Sequence, residues 1–190
     1  MYAIDWSTWR KERLQTAISQ VSQDLTFQPL ATTPLAQALW CQEGCGIYVF
    51  HDSTFTPLYV GKVSSRSFLE RISAHMDTHG HKGGGPAGWF NTFHQRWVLH
   101  RGEADVEAKH NYLHHTGLLL LRIPHGDAGA IERVERALIH THDPPLNRRT
   151  QIREGTKHWP LLEGLARATV EEVAAISGDL LTQAHPDWQE

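Results

Sequence analysis

Three apolar runs of strand length stand out along the chain: Gly46-Ile47-Tyr48-Val49-Phe50, Tyr59-Val60-Gly61-Lys62 and Gly117-Leu118-Leu119-Leu120-Leu121-Arg122-Ile123. The first two favour β structure and are joined by a polar stretch holding His51, Asp52, Ser53, Thr54 and Pro57, which predicts a hairpin. With Ser53 and Thr54 as the loop, Tyr48 pairs directly with Tyr59 and two phenols stand side by side. Alternation along a strand puts Tyr48 on one face with Phe50, and Tyr59 on one face with Gly61. Gly46 and Gly61 keep the backbone approachable beside the tyrosines. The third run is continuously apolar, as expected of a central strand covered on both faces.

Helical spacing marks the other segments. Leu14, Ala17, Ile18, Val21 and Leu25 predict an amphipathic helix within residues 1–26. Ser67 and Glu70 form a capping box that starts a helix at Phe68, with Phe68, Ile72 and Met76 as its buried stripe. Residues 104–115 read as helical. Asp127 is placed to cap a helix whose buried face carries Ile131, Val134, Ala137 and Leu138. Thr169 and Glu172 make a second capping box, opening a tail helix through about Leu181. The run His79-Gly80-His81-Lys82-Gly83-Gly84-Gly85 follows no strand and reads as a loop excursion rather than a phosphate-binding loop. Trp89, Phe90, Phe93 and Trp97 behind it would either stack on bases or fill a core.

The order helix, strand, strand, helix, insertion, strand, helix, tail predicts an α+β fold with a small three-stranded antiparallel sheet flanked by helices. Three regions follow: an N-terminal helical arm and lead-in (1–45), a central domain (46–154) with an insertion at 77–115, and a C-terminal helical extension (155–190). The tail helix reads as a packing or dimer-contact element, so a homodimer is one expected assembly.

At 190 residues the chain is long enough for a sizeable core. No apolar run approaches bilayer length and the start lacks a secretory signal, so a cytoplasmic protein without membrane partners is expected. Cys41 and Cys45 form no recognised metal spacing and are expected as free thiols. Fourteen histidines, some in pairs such as His140-x-His142, lack the Cys/His geometry of a structural zinc site. A formal net charge of −3 argues against a strongly basic nucleic-acid binder. The charge is unevenly placed, however. Residues 46–154 carry 13 Lys and Arg against 11 Asp and Glu, while residues 155–190 carry 2 against 6.

Several polar side chains fall where chemistry is more plausible than packing. Arg71 and His75 stand one helical turn apart on a common face, where a guanidinium can clamp a phosphate with an imidazole beside it. Arg66, ahead of the helix cap, rivals Arg71 for that role. Glu135 lies inside the apolar stripe of its helix, an expensive place for a carboxylate without a metal, a cation or hydrogen bonds. Glu132 lies four before Arg136 and reads as an ordinary exposed ion pair.

Together the Gly46-Ile47-Tyr48 and Tyr59-Val60-Gly61 strands, Arg71, and Glu135 followed by Leu138, Ile139, Pro144 and Asn147 resemble the GIY-YIG nuclease superfamily over about residues 46–149. The resemblance implies an endonuclease that hydrolyses phosphodiester bonds, in DNA sooner than RNA, for restriction, defence or repair. His75 matches the histidine of the restriction-enzyme branch. It implies Mg²⁺, with Mn²⁺ as a plausible substitute, held by Glu135. It also implies Arg71 as the phosphate clamp, Tyr48 as the general base and Tyr59 as the group orienting water or phosphate. The residues alone leave the two tyrosines interchangeable. Lys62, three beyond Tyr59, could supply the positive charge a phenol needs to act as a base. Asn147 would tie the strand and helix ends together. Lys62, Arg66, Arg71, Arg148 and Arg149 are the expected nucleic-acid contacts. Tyr48, Tyr59, Arg71 and Glu135 are expected to converge on one cleft. The competing class is a non-catalytic nucleic-acid-binding module on the same fold.

Overall fold

Strands β2 (Cys45–His51) and β3 (Pro57–Val63) form the anticipated antiparallel hairpin, but Tyr48 pairs with Gly61, and Tyr59 with Phe50. The direct Tyr48–Tyr59 pairing is lost because the loop is wider than Ser53-Thr54. Asp52 organises it: its carboxylate accepts the Thr54 and Thr56 N–H groups at 2.8 and 3.0 Å and the Thr54 hydroxyl at 2.7 Å. Asparagine and aspartate side chains commonly substitute for backbone partners in this way. Phe55 takes a positive φ of 62° inside this loop, and the register slips between Phe50 and His51. The computed structural model from which this geometry is taken describes residues 2–23, 25–34, 45–65, 67–76, 93, 96–97, 108–123, 128–147 and 167–175.

Strand β4 (Gly117–Ile123) pairs antiparallel with β2 along its whole length, and these three strands are the ones expected from the sequence. The sheet has a fourth strand, β1 (Tyr2–Asp5), parallel to β4, giving the order β1-β4-β2-β3. The fold is therefore α+β with a four-stranded mixed sheet, not a three-stranded antiparallel one. The helical period of the N-terminal segment begins only at Leu14. Ahead of it run β1, one helical turn α1 (Trp6–Trp9), and then α2 (Leu14–Gln23), which ends before Leu25.

Both sheet faces are covered. Ile47, Val49, Val60, Leu119 and Leu121 meet α5 (Ala128–His142) through Ile131, Val134, Ala137 and Leu138, together with Leu14, Ala17 and Ile18 of α2. The opposite face presents Tyr48, Phe50, Tyr59, Val63, Leu118 and Leu120. It meets Phe68 and Ile72 of α3 (Phe68–Met76), Tyr112 of α4 (Ala108–His115), and Phe93 and Trp97. Phe93 lies 4.2 Å from Phe50 with the rings tilted, and Phe93 and Trp97 are both buried, so these two fill the core rather than await bases; Trp89 and Phe90 lie outside the described residues. β4 is indeed apolar on both faces, with Leu118 and Leu120 in one layer and Leu119 and Leu121 in the other.

The described tail residues belong to the first layer. Thr169 and Glu172 cap helix α6 (Val170–Ala175) reciprocally, at 2.7 and 3.1 Å. Val170 and Val173 are fully buried, and Arg133 of α5 donates twice to the Ala174 carbonyl. Backbone bonds join Leu14 to Ala168, and Val170 to Glu12, at 3.0 and 2.9 Å. Two buried valines contribute roughly 3–5 kcal/mol of transfer free energy, which fixes this segment to the body and leaves neither residue for a second copy. No helix among the described residues is long and apolar enough to cross a membrane.

Gly61 sits directly against the Tyr48 side chain. A β-carbon there would lie 2.3 Å from the Tyr48 ring and hydroxyl. Gly61→Ala should therefore destabilise the fold by about 1–3 kcal/mol, measured by urea denaturation. A variant as stable as the wild type would show that the Tyr48 ring does not lie across Gly61.

Candidate active site

Helix α3 starts where Ser67 Oγ accepts the Glu70 N–H at 3.1 Å, and this start sets which side chains point at the sheet. Phe68, Ile72 and His75 turn inward, while Arg71 stays exposed one turn before His75. His75 is buried, and its Nδ1 accepts the backbone N–H of Phe93 at 3.2 Å. A neutral imidazole offers one acceptor and one donor, so Nε2 carries the proton and donates to Tyr48 Oη at 2.6 Å. Burial, then the charges of Arg71 and Arg96, lower the His75 pKa to about 3, so the ring is neutral at physiological pH.

Tyr48, Tyr59 and His75 form one aromatic cluster. The two tyrosine rings lie 6.0 Å apart, with His75 at 5.4 Å from Tyr48 and 5.1 Å from Tyr59. Burial raises the Tyr48 phenol well above its ordinary value, and Tyr59 adds to this, whereas Arg71 pulls it down. Burial likewise raises Tyr59, opposed first by Arg96 and also by Arg71. Arg96 stands 5.0 Å over the Tyr59 ring and donates from Nη1 to the Leu146 carbonyl at 2.8 Å. Arg96 carries no signal in the sequence. It lies within the 77–115 insertion, beside Phe93 and Trp97, with no periodicity or cap to mark it.

Lys62 lies away from the phenols, contrary to its expected role beside Tyr59. Residues three apart on a strand face opposite sides, so Lys62 points toward α5. There its ammonium bridges Glu132 and Glu135 at 3.1 and 3.4 Å. Glu132 also accepts from Arg136, so it belongs to a network rather than to one exposed pair. Only 17 % of the Glu135 side chain is exposed, and burial raises its carboxyl pKa against the pull of Lys62. Burial also acts on Glu132, but the Lys62 and Arg136 partners outweigh it and hold that carboxyl below the usual range.

The expected convergence is thus split by the edge strand. Tyr48 exposes none of its surface and lies under α3, while Glu135 comes from α5 on the opposite face. The two halves meet at the end of β3, where Lys62, Val63, Ser64, Ser65 and Arg71 line a cleft of about 200 Å³. The charge of Glu135 is felt across that edge by both Tyr59 and Arg71. Asn147 closes the outer side of β3. Its Oδ1 accepts the Val60 N–H at 2.9 Å and its Nδ2 donates to the Val60 carbonyl at 2.8 Å, in the manner of a missing neighbour strand. Arg66, Asp127, Arg148, Arg149 and Cys41 lie outside the described residues; Cys45 is a free thiol.

Among the described residues no group of three or more His, Cys, Asp or Glu side chains stands together. A hard divalent cation that keeps several waters needs only one or two protein carboxylates, and the Glu135 carboxylate beside Glu132 fits that donor set. Compared with known proteins, the chain matches no family model, no curated protein and no solved structure.

His75 links stability to pH. Its folded-state pKa is depressed, so the folded protein holds fewer protons than the unfolded chain between about pH 3 and the ordinary histidine value. Stability is full above that value and is lost as pH falls; His51 and His142 shift in the same direction. Between pH 7 and pH 5 the wild type should lose about 2 kcal/mol more unfolding free energy than His75→Gln. Parallel curves for the two proteins in urea denaturation would contradict the buried neutral imidazole.

Proposed function

We propose that the chain is a divalent-cation-dependent endonuclease of the GIY-YIG type, hydrolysing phosphodiester bonds in DNA. The observation that carries the proposal is the Tyr48 hydroxyl, which accepts from the His75 Nε2–H at 2.6 Å with Arg71 close enough to act on the same oxygen. These two donors stabilise the phenolate and so oppose the burial that raises the phenol, and a tyrosine needs such opposition to serve as a general base.

In this role Tyr48 Oη takes a proton from water as the water oxygen attacks phosphorus, and the P–O bond to the leaving oxygen breaks. The leaving oxygen takes its proton from solvent. Arg71, exposed at the cleft, binds a non-bridging phosphate oxygen. Tyr59 borders Tyr48 and orients water or phosphate. Asn147 positions β3, and through it Gly61 and the cleft end of the strand. Glu135 would hold Mg²⁺ or Mn²⁺, which would supply charge neutralisation at the phosphate and the leaving oxygen. Because Tyr48 is fully buried, the cluster must open when DNA binds. A restriction or defence role suits the histidine one turn after Arg71.

That same burial favours a second reading, a nucleic-acid-binding module without chemistry, as does the occupation of Glu135 by Lys62. Plasmid and RNA incubation with Mg²⁺ separates the two. Glu135→Gln should keep the wild-type circular dichroism spectrum and lower the single-turnover cleavage rate at least about a hundredfold. Cleavage by wild type in excess EDTA, or undiminished cleavage by Glu135→Gln, would remove the metal role. No cleavage of either substrate by wild type with Mg²⁺ would favour the binding module.

A further inference from the structure

Lys62 is set directly on the proposed metal ligand. Its ammonium contacts Glu135 at 3.4 Å and Glu132 at 3.1 Å, on the side of β3 that faces α5. The Lys62 side chain is 30 % exposed and lines the same cleft as Arg71, so it is placed between a carboxylate pair and open solvent. An ammonium and a divalent cation compete for the same carboxylate oxygens, because each satisfies the charge that burial makes costly.

We propose, on the basis of the nuclease reading above, that Lys62 is the resident counter-ion of Glu135, which a divalent cation must displace. Without metal, Lys62 compensates the buried carboxylate of Glu135 and shares its charge with Glu132. When a divalent cation takes Glu135, Lys62 loses that partner and its flexible stem swings the ammonium into the cleft. There, beside Arg71, it meets a phosphate of the bound strand. Lys62 is thus a positioning residue: it links filling of the carboxylate site to the appearance of a second cation where the phosphate binds. Such coupling weakens metal binding to the free protein and strengthens it when a polyanion is present to accept the displaced ammonium.

Mn²⁺ titration by isothermal calorimetry on the full chain, without DNA, reads this directly. Lys62→Met should bind Mn²⁺ about tenfold more tightly than wild type, since the competing cation is gone. Glu135→Gln should abolish the site in both backgrounds. Equal or weaker binding by Lys62→Met, with wild type still binding, would overturn the counter-ion role and leave the metal reading intact. Absence of binding by wild type and Lys62→Met alike would overturn both. A measurement on the unaltered protein guards against a misfolded variant: the Lys62 side-chain NMR signals should move as Mg²⁺ saturates the site. If they stay unchanged at saturation, Lys62 is not displaced.

Discussion

The ring of Tyr48 lying across Gly61 is the contact on which the rest of the arrangement depends. A side chain at Gly61 would collide with the phenol at 2.3 Å, so a residue lacking a β-carbon is required opposite the tyrosine. Seated there, the phenol is within reach of α3, whose capped start at Ser67 turns His75 inward to meet it at 2.6 Å. The Phe93 N–H then fixes the tautomer of His75. One small residue in an edge strand thereby determines where the buried hydroxyl sits, and which atom of which neighbour donates to it.

Strand β3 organises the charges as well. Its inward side carries Tyr59 and Gly61 toward the aromatic cluster, and its other side carries Val60 and Lys62 toward α5. Its free edge is closed by Asn147, whose amide pairs with both polar groups of Val60. Edge strands with open hydrogen-bonding groups invite pairing with other chains, and a side-chain amide is an economical closure. Arg96 secures the same corner by holding the Leu146 carbonyl while standing over Tyr59. The cations and carboxylates on the two faces therefore communicate across a single strand, and the cleft at its end is where they become accessible together.

Much of this was legible in the sequence because the signals were local. The β2–β3 hairpin, the doubly covered β4, and the capping boxes at Ser67 and Thr169 all follow from side-chain alternation or from residues three apart. Strand β1 was not legible: four residues pairing parallel to β4 are recognisable only once β4 is in place. The hairpin register escaped because Asp52 widens the loop through side-chain bonds that spacing does not reveal. The side of Lys62 was in fact readable, since an odd separation from Tyr59 puts the two on opposite faces. Arg96 carried no signal, because its importance comes from contacts with Tyr59 and Leu146, distant in the chain.

The central claim is that the buried Tyr48 phenol, held by His75 and Arg71, is the proton acceptor of a hydrolytic reaction. Its most direct test is the pH dependence of single-turnover plasmid cleavage in wild type, Tyr48→Phe and Tyr59→Phe. A phenol raised above its ordinary pKa of ~10 is increasingly ionised as pH climbs, so the wild-type rate should rise across pH 6–9, by up to about tenfold per unit. Tyr59→Phe should keep that rise at a lower rate, and Tyr48→Phe should lose cleavage while still binding DNA. A pH-independent wild-type rate over that range, or wild-type cleavage by Tyr48→Phe, would contradict the account.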